Sequence, residues 1–325
     1  MALVIIVIAL IFEFINGFHD TANAVATSIA TRSLEPFQAI TLSAIFNLLG
    51  AISGTAVAIT IASGFTNPDL INENILLSAL LAAIIWNLFT WYLAIPSSSS
   101  NAIIGGLIGA IIFQNNLMAV NYTTLIHKVL LPMVISPIIG FIIASILAVT
   151  ITKLLQNNKS PRKVNNYIRE MQVLSTIFLS FSHGANDAQK TMGIITLTLF
   201  NFHLINKIAV PTWVIFICAI CMALGTLFGG VKVIKTLSTR VAKLTPISGF
   251  AAEISAATLL FINSKFGIPI STTHAVSGSI MGAGLSSTLS INWAVIRGMI
   301  TAWVLTIPAC MLLSSIIFYL LHIIN

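Results

Sequence analysis

Charge is what this chain has least of. Only 7% of its 325 residues are Asp, Glu, Lys or Arg, against about 25% in a soluble domain. Hydrophobic residues make up 57%, and the mean hydropathy is +1.02. That shortage excludes an ordinary soluble globule and leaves a chain that crosses a membrane repeatedly. Acidic residues number eight against fifteen basic ones. The basic excess is small and clustered, which argues for membrane orientation rather than for nucleic acid or an acidic partner. Cysteines are three. The Cys218-x-x-Cys221 spacing has no second pair and no neighbouring His or Gly, so zinc and redox chemistry are not expected. These thiols read as small buried hydrophobes, as does Cys310. No basic segment follows Met1, so no cleaved signal peptide is expected. Gly-x-Ser-x-Gly, His-Glu-x-x-His and zinc-type clusters are also missing. Although Ser, His and Asp occur inside apolar runs, an intramembrane hydrolase is not expected, nor is any enzyme or organic cofactor.

What the chain does have is long apolar runs, near residues 1–30, 38–63, 75–95, 128–152, 171–200, 212–234, 246–266 and 291–323. Shorter apolar arms follow Asn101 and His274. A full helical span takes about 20 residues, so these arms are too short to cross alone. Basic residues gather at Lys153, Lys159, Arg162, Lys163 and Arg169, and at Lys232, Lys235, Arg240 and Lys243. Positive-inside bias places both groups on the cytoplasmic side. Counting crossings from there puts both termini outside and leaves residues 75–118 beginning and ending outside. That segment must be a re-entrant hairpin with its tip at Ser97–Asn101. Residues 246–288 form the matching hairpin from the cytoplasmic side, with its tip at Ser271–His274. Irregular backbone at membrane depth is tolerable only inside protein or beside a water-filled cavity.

The two halves repeat each other. Gly17-Phe-His-Asp-Thr-Ala-Asn23 precedes Pro96-Ser-Ser-Ser-Ser-Asn101, and Gly184-Ala-Asn-Asp-Ala-Gln-Lys190 precedes Pro269-Ile-Ser-Thr-Thr-His274. Asp20 and Asp187 lie 167 residues apart, Gly50 and Gly225 lie 175 apart, and Pro96 and Pro269 lie 173 apart. The expectation is an all-α polytopic membrane protein of two inverted repeats. Residues 1–152 and 171–325 would be the repeats, joined by a basic cytoplasmic linker at 153–170. Each repeat would hold three transmembrane spans and one hairpin. Duplicated polar interruptions at matching places point to a transporter's binding site.

Glu13, Asn16, Asp20, Asn23 and Thr27 recur at steps of three and four, as do Ser180, His183, Asp187 and Lys190, giving each helix one polar stripe. A carboxylate at the centre of a membrane helix costs at least about 2.5 kcal/mol and normally faces a cavity or partner. At the tips, Ser98, Ser99, Ser100 and Asn101 open one apolar helix, and Ser271, Thr272, Thr273 and His274 open the other. One hydroxyl suffices to cap a helix, and each tip has at least three. Two helix starts meeting from opposite sides would bind an oxyanion through amides and hydroxyls. The aspartates would oppose that anion unless they hold cations. Asp20 and Asp187, with Asn23 and Asn186, could each hold a sodium ion, a hard cation suited to oxygen ligands. Protons on the aspartates could serve similarly. Lys190 would pair with Asp187 or steer the anion. Gly105/Gly109 and Gly278/Gly282 are expected to let the hairpin arms pack closely.

Phe181-Ser-His-Gly-Ala-Asn-Asp-Ala-Gln-Lys-Thr-Met-Gly193 together with Gly267-Ile-Pro-Ile-Ser-Thr-Thr-His274 closely resembles the inorganic phosphate transporter (PiT) family, and the resemblance extends over essentially the whole chain. It implies phosphate as substrate, inverted repeats, a homodimer and a cell-membrane location. By motif it implies Asp20, Asn23, Asp187 and both hydroxyl clusters as binding residues, with Glu253 at a family acidic position. Lys190, Glu253 and Thr21, which adjoins Asp20, are the accessory candidates. His19 stands where the family commonly has Asn, and Asn101 where it commonly has His. The expected function is phosphate import coupled to sodium, by alternating access around a mid-membrane site. A proton-coupled phosphate or sulfate permease is the alternative, and a hydroxyl-lined occluded site argues against a channel.

Overall fold

The computed structural model describes residues 1–156, 160–229, 231–240, 243–286 and 292–324. Lys159 and the last two residues of the expected second hairpin lie outside the described residues, as do the side chains of Lys232 and Arg240. Among the described residues the secondary structure is entirely helical.

Thirteen α-helices follow one another: α1 (Ala2–Ala30), α2 (Pro36–Ala51), α3 (Ala56–Ser63), α4 (Glu73–Tyr92), α5 (Ser99–Asn115), α6 (Tyr122–Leu125), α7 (Leu131–Leu155), α8 (Pro161–Asn201), α9 (Thr212–Phe228), α10 (Val231–Lys235), α11 (Pro246–Lys265), α12 (Thr272–Ser286) and α13 (Trp293–Ile324). Five helical segments are long and apolar enough to cross a membrane, and six if the bent pair α2–α3 counts as one. The 41-residue α8 is not among them, because its polar stripe dilutes its hydropathy. It begins at Pro161 and takes up ten residues of the expected linker.

The apolar run 38–63 is broken between Ala51 and Ala56, where the chain bends by 68°. Gln189 of α8 explains how the break survives in an apolar setting. Its Oε1 accepts the backbone N–H of Val57 at 2.8 Å, satisfying a donor that a helix start leaves free. The run 212–234 is likewise interrupted, at Gly229, where φ is +38°.

Both expected hairpins form. α4 packs on α5 and α11 on α12, with the breaks at Leu93–Ser98 and Phe266–Ser271. The first arms end alike. Ile95 donates its N–H to the Thr90 carbonyl, and Ile268 donates to that of Asn263. Between them stand Ala94 at φ +56° and Gly267 at φ +66°. The left-handed region is natural for Gly267 and strained for Ala94.

α1 and α8 run antiparallel and cross at their aspartates. Glu13, seven residues before Asp20, accepts a hydrogen bond from Thr191, four residues after Asp187. Thr27, seven residues after Asp20, meets through Glu253 the hydroxyls of Ser175 and Thr176, which precede Asp187. Glycines make equivalent crossings in both halves. Gly17 of α1 lies against the Met222 backbone of α9, and Gly184 of α8 against that of Asn47 in α2.

The glycines of the hairpins correct one expectation. Gly105 and Gly109 do not join α5 to its own first arm. They face the backbones of Ile307 and Met311 in α13, while Gly278 and Gly282 face Pro137 and Phe141 in α7. Each hairpin is therefore buttressed by the last span of the other half. Of the three α5 glycines only Gly106 faces its own first arm, at Ala79. Two apolar clusters result. One surrounds α3, α4, α5 and the C-terminal half of α8, and the other surrounds α7, α11 and α12. The aspartate crossing lies between them.

Candidate functional site

Three hydroxyls of each tip, at 98–100 and 271–273, divide into three tasks, and the division repeats in both halves; the first tip's fourth hydroxyl, Ser97 Oγ, lies 2.7 Å from Thr90 Oγ1. The first caps its helix: Ser98 Oγ accepts the N–H of Asn101 at 3.2 Å, and Ser271 Oγ that of His274 at 3.3 Å. The second reaches a carboxylate: Ser99 donates to Asp20 Oδ2 at 2.6 Å, and Thr272 donates to Asp187 Oδ1 at 2.8 Å. The third crosses to the opposite hairpin: Thr273 donates to the Ser97 carbonyl at 2.9 Å, and Ser100 donates to that of Ile270 at 3.5 Å. The capping explanation therefore accounts for one hydroxyl per tip, and two others bind a carboxylate and the opposite hairpin.

The polar stripes meet these tips from the side. Asn23 donates to Thr273 Oγ1 at 2.9 Å. Its counterpart Lys190 donates to Ser100 Oγ, to Asp187 Oδ1 and, at 3.3 Å, to the Ile270 carbonyl. The residue before each aspartate supports it: His19 Nδ1 is 2.7 Å from Asp20 Oδ1, and Asn186 donates to Asp187 Oδ1 at 2.8 Å and to the Ile270 carbonyl at 2.9 Å. Asp20 and Asp187 are 2% and 0% exposed, and the tip residues are equally enclosed. The site is closed to bulk solvent in the present conformation, so a ligand enters only if packed elements move.

Among the described residues one group could hold a metal ion. Asp20, His183 and Asp187 each bring a ligand atom within 4.8 Å of the others. His183 Nε2 lies 3.4 Å from Asp187 Oδ2, and neither atom has a hydrogen-bond partner. His183 Nδ1 faces Asn47 Oδ1 at 3.0 Å, which fixes the ring. His183 and His19 belong to the site but were not expected as binding residues. The signal was present for His183, which sits one turn before Asp187 on the same stripe.

Two expected residues are placed differently. The His274 ring turns away from the aspartates. Its Nδ1 is 3.3 Å from the Met133 carbonyl, and the ring lies 4.2 Å from that of Trp303. Thr21 donates at 2.6 Å to the Gly17 carbonyl within its own helix. Asn101 is buried, and its amide nitrogen has no partner. Glu253 is fully buried as a separate knot, accepting from Thr27 at 2.5 Å, Gln172 at 3.1 Å, Thr176 at 3.1 Å and Ser175. Glu13 is a fourth buried acidic residue, at the other end of the α1–α8 crossing, with Oε1 unpartnered.

Two inverted halves whose broken helices meet at buried carboxylates define a membrane transporter rather than an enzyme. The phosphate transporter family matches this chain over residues 16–166 and again over 153–314. The chain belongs to that family. A probable low-affinity inorganic phosphate transporter of Bacillus subtilis (strain 168) is 42% identical over all of this chain and 98% of its own. One from Rhizobium meliloti (strain 1021) is 40% identical over 97% of this chain and 95% of its own. A solved structure described as the sodium-dependent phosphate transporter superposes with a TM-score of 0.87 at 25% identity, covering 99% of this chain and 100% of the other.

Proposed function

We propose that the protein imports inorganic phosphate coupled to sodium, by alternating access around the paired hairpin tips. The observation that carries this reading is the duplicated contact of a tip hydroxyl with a buried carboxylate, Ser99 with Asp20 and Thr272 with Asp187. In the loaded state the hydroxyls at positions 98–100 and 271–273 and the free N–H groups of α5 and α12 would take the anion's oxygens. Asn101 and His274 close the same two tips. A cation at the aspartates would offset their repulsion of that anion. Each ligand then favours the other, which is the coupling that symport requires. Phosphate carries about −1.5 charges at neutral pH and needs such a partner to enter a negative cell.

Sodium is favoured because carboxylate, amide and hydroxyl oxygens crowd the site, with Asn23 and Asn186 adjoining Asp20 and Asp187, and because the solved relative is described as sodium-dependent. Proton coupling is the second reading, favoured by Glu13, a fully buried carboxyl with an open oxygen beside the same crossing. The reading includes a homodimer in the cell membrane with both termini outside, Glu253 and Lys190 acting as accessories.

Labelled phosphate uptake into proteoliposomes, with and without a sodium gradient, tests the choice. Sodium-driven uptake is expected. Uptake indifferent to sodium but driven by a pH gradient would overturn the coupling ion and leave phosphate transport standing.

A further inference from the structure

The hydroxyl contacts of the two tips repeat in both halves, while the side chains that flank the two aspartates differ, most of all at one charged position. Ser99 reaches Asp20 as Thr272 reaches Asp187. Asn23 reaches the third hydroxyl of the opposite tip, Thr273, as Lys190 reaches Ser100. Asn23 and Lys190 thus hold equivalent places, three residues after equivalent aspartates. One is neutral. The other is an ammonium, 1% exposed, bound to Asp187, Ser100 and the Ile270 carbonyl.

Resting on the cation-coupled reading above, we propose that Lys190 is a built-in cation at the Asp187 half of the site, so that the aspartate pair takes one exchangeable cation rather than two. The reasoning is electrostatic. Two buried carboxylates beside an anion site need two positive charges nearby, since an isolated buried charge is far too costly to leave uncompensated. Lys190 supplies one permanently, tethered to the same helix. Its ammonium donates to oxygens from three sources: the carboxylate of its own helix, a hydroxyl of one tip and a backbone carbonyl of the other. Carboxylate, hydroxyl and carbonyl oxygens are the set a hard cation would use. On the Asp20 side the equivalent position is the neutral Asn23, so among the described residues no lysine ammonium takes that role. His19 lies beside Asp20 Oδ1, while Asn23 donates to Thr273. The exchangeable cation belongs with Asp20, with Asp187 Oδ2 and His183 Nε2 close by. The two halves of the site are alike in shape and unlike in charge, and the unlike charge sets how much charge moves with each phosphate.

The test is the charge moved per phosphate, read from the membrane potential at which net phosphate flux reverses in proteoliposomes. It works whether the coupled ion is sodium or a proton, so failure of the sodium reading is seen separately in the gradient experiment. Lys190→Asn makes the second half resemble the first and should raise the charge moved by one unit per phosphate. Asp187→Asn combined with Lys190→Asn removes both buried charges together and should return the wild-type charge per phosphate, though with weaker apparent phosphate affinity because Thr272 loses its carboxylate acceptor. Lys190→Arg, which keeps the charge, should also keep that value. An unchanged charge in Lys190→Asn with only a weaker apparent affinity for phosphate would overturn the proposal, because Lys190 would then be an anion ligand. If the single variant does not accumulate, the double variant decides alone. The wild-type value supports the proposal. One unit fewer overturns it.

Discussion

Substituting Gly105 tests the exchange of buttresses between the halves. A Cβ there would sit 2.8 Å from the Ile307 carbonyl oxygen, 3.0 Å from Ile307 Cα and 3.3 Å from Cys310 Cβ, all on α13. The two nearest atoms are backbone and cannot rotate aside. To reach ordinary contact the helices must separate by about 0.6 Å along several turns, forfeiting dispersion on both sides. Overpacking of this kind costs about 1–3 kcal/mol, more than the roughly 1 kcal/mol by which Ala exceeds Gly in helix propensity. Gly105→Ala should therefore be destabilised. Gly298 in α13 has no atom within 4 Å of its would-be Cβ, so Gly298→Ala should be neutral or stabilised. Purified variants heated in detergent and assayed for the monodisperse fraction, at one heating rate because unfolding is irreversible, read the difference. About 2–4 °C per kcal/mol is the scale. If Gly105→Ala melts with Gly298→Ala, the α5–α13 contact is not tight and the argument fails.

The remaining expectations concern the site and its supports. Ser99→Ala and Thr272→Ala each remove a hydrogen bond to a carboxylate, worth about 1.5–3 kcal/mol, and should raise the apparent phosphate constant about tenfold or more in uptake assays. Unchanged binding would reduce these hydroxyls to packing. Asp20→Asn should abolish cation dependence while the protein still accumulates, and wild-type sodium dependence would remove the carboxylate from the coupling. Ala94→Gly relieves a left-handed backbone at the first hairpin and should gain about 1 kcal/mol of stability, visible as a raised melting temperature. Glu253→Leu removes the acceptor of Thr27 and the Gln172 amide, while the Ser175 and Thr176 hydroxyls can turn to the Gln172 backbone carbonyl, and should lower stability by about 3 kcal/mol. Glu253→Gln, which can still accept, should lose less, and equal losses would show that packing alone matters there.

The local order of this protein is written in its sequence. Scarcity of charge sets the solvent, Pro96 and Pro269 mark the hairpin tips, and the repeated aspartates and hydroxyls name the site, because each depends on residues adjacent in the chain. Even the inversion follows from where the basic residues fall. The linker was harder to read: its basic residues suggest a loop, yet from Pro161 they continue the helix of Asp187. Only the tertiary structure decided which surfaces meet. Small residues at Gly105 and Gly278 announce a close contact without naming the partner, and the partner proved to be the last span of the other half. In the same way the sequence offers Lys190 to Asp187 one turn away but cannot show that its ammonium also ties the two hairpin tips. The His274 ring could not be assigned a side from spacing alone, since its contacts come from α7 and α13. Contacts between distant segments depend on how helices pack, and helix packing is settled by backbone approach and by shared burial rather than by any one stretch of chain.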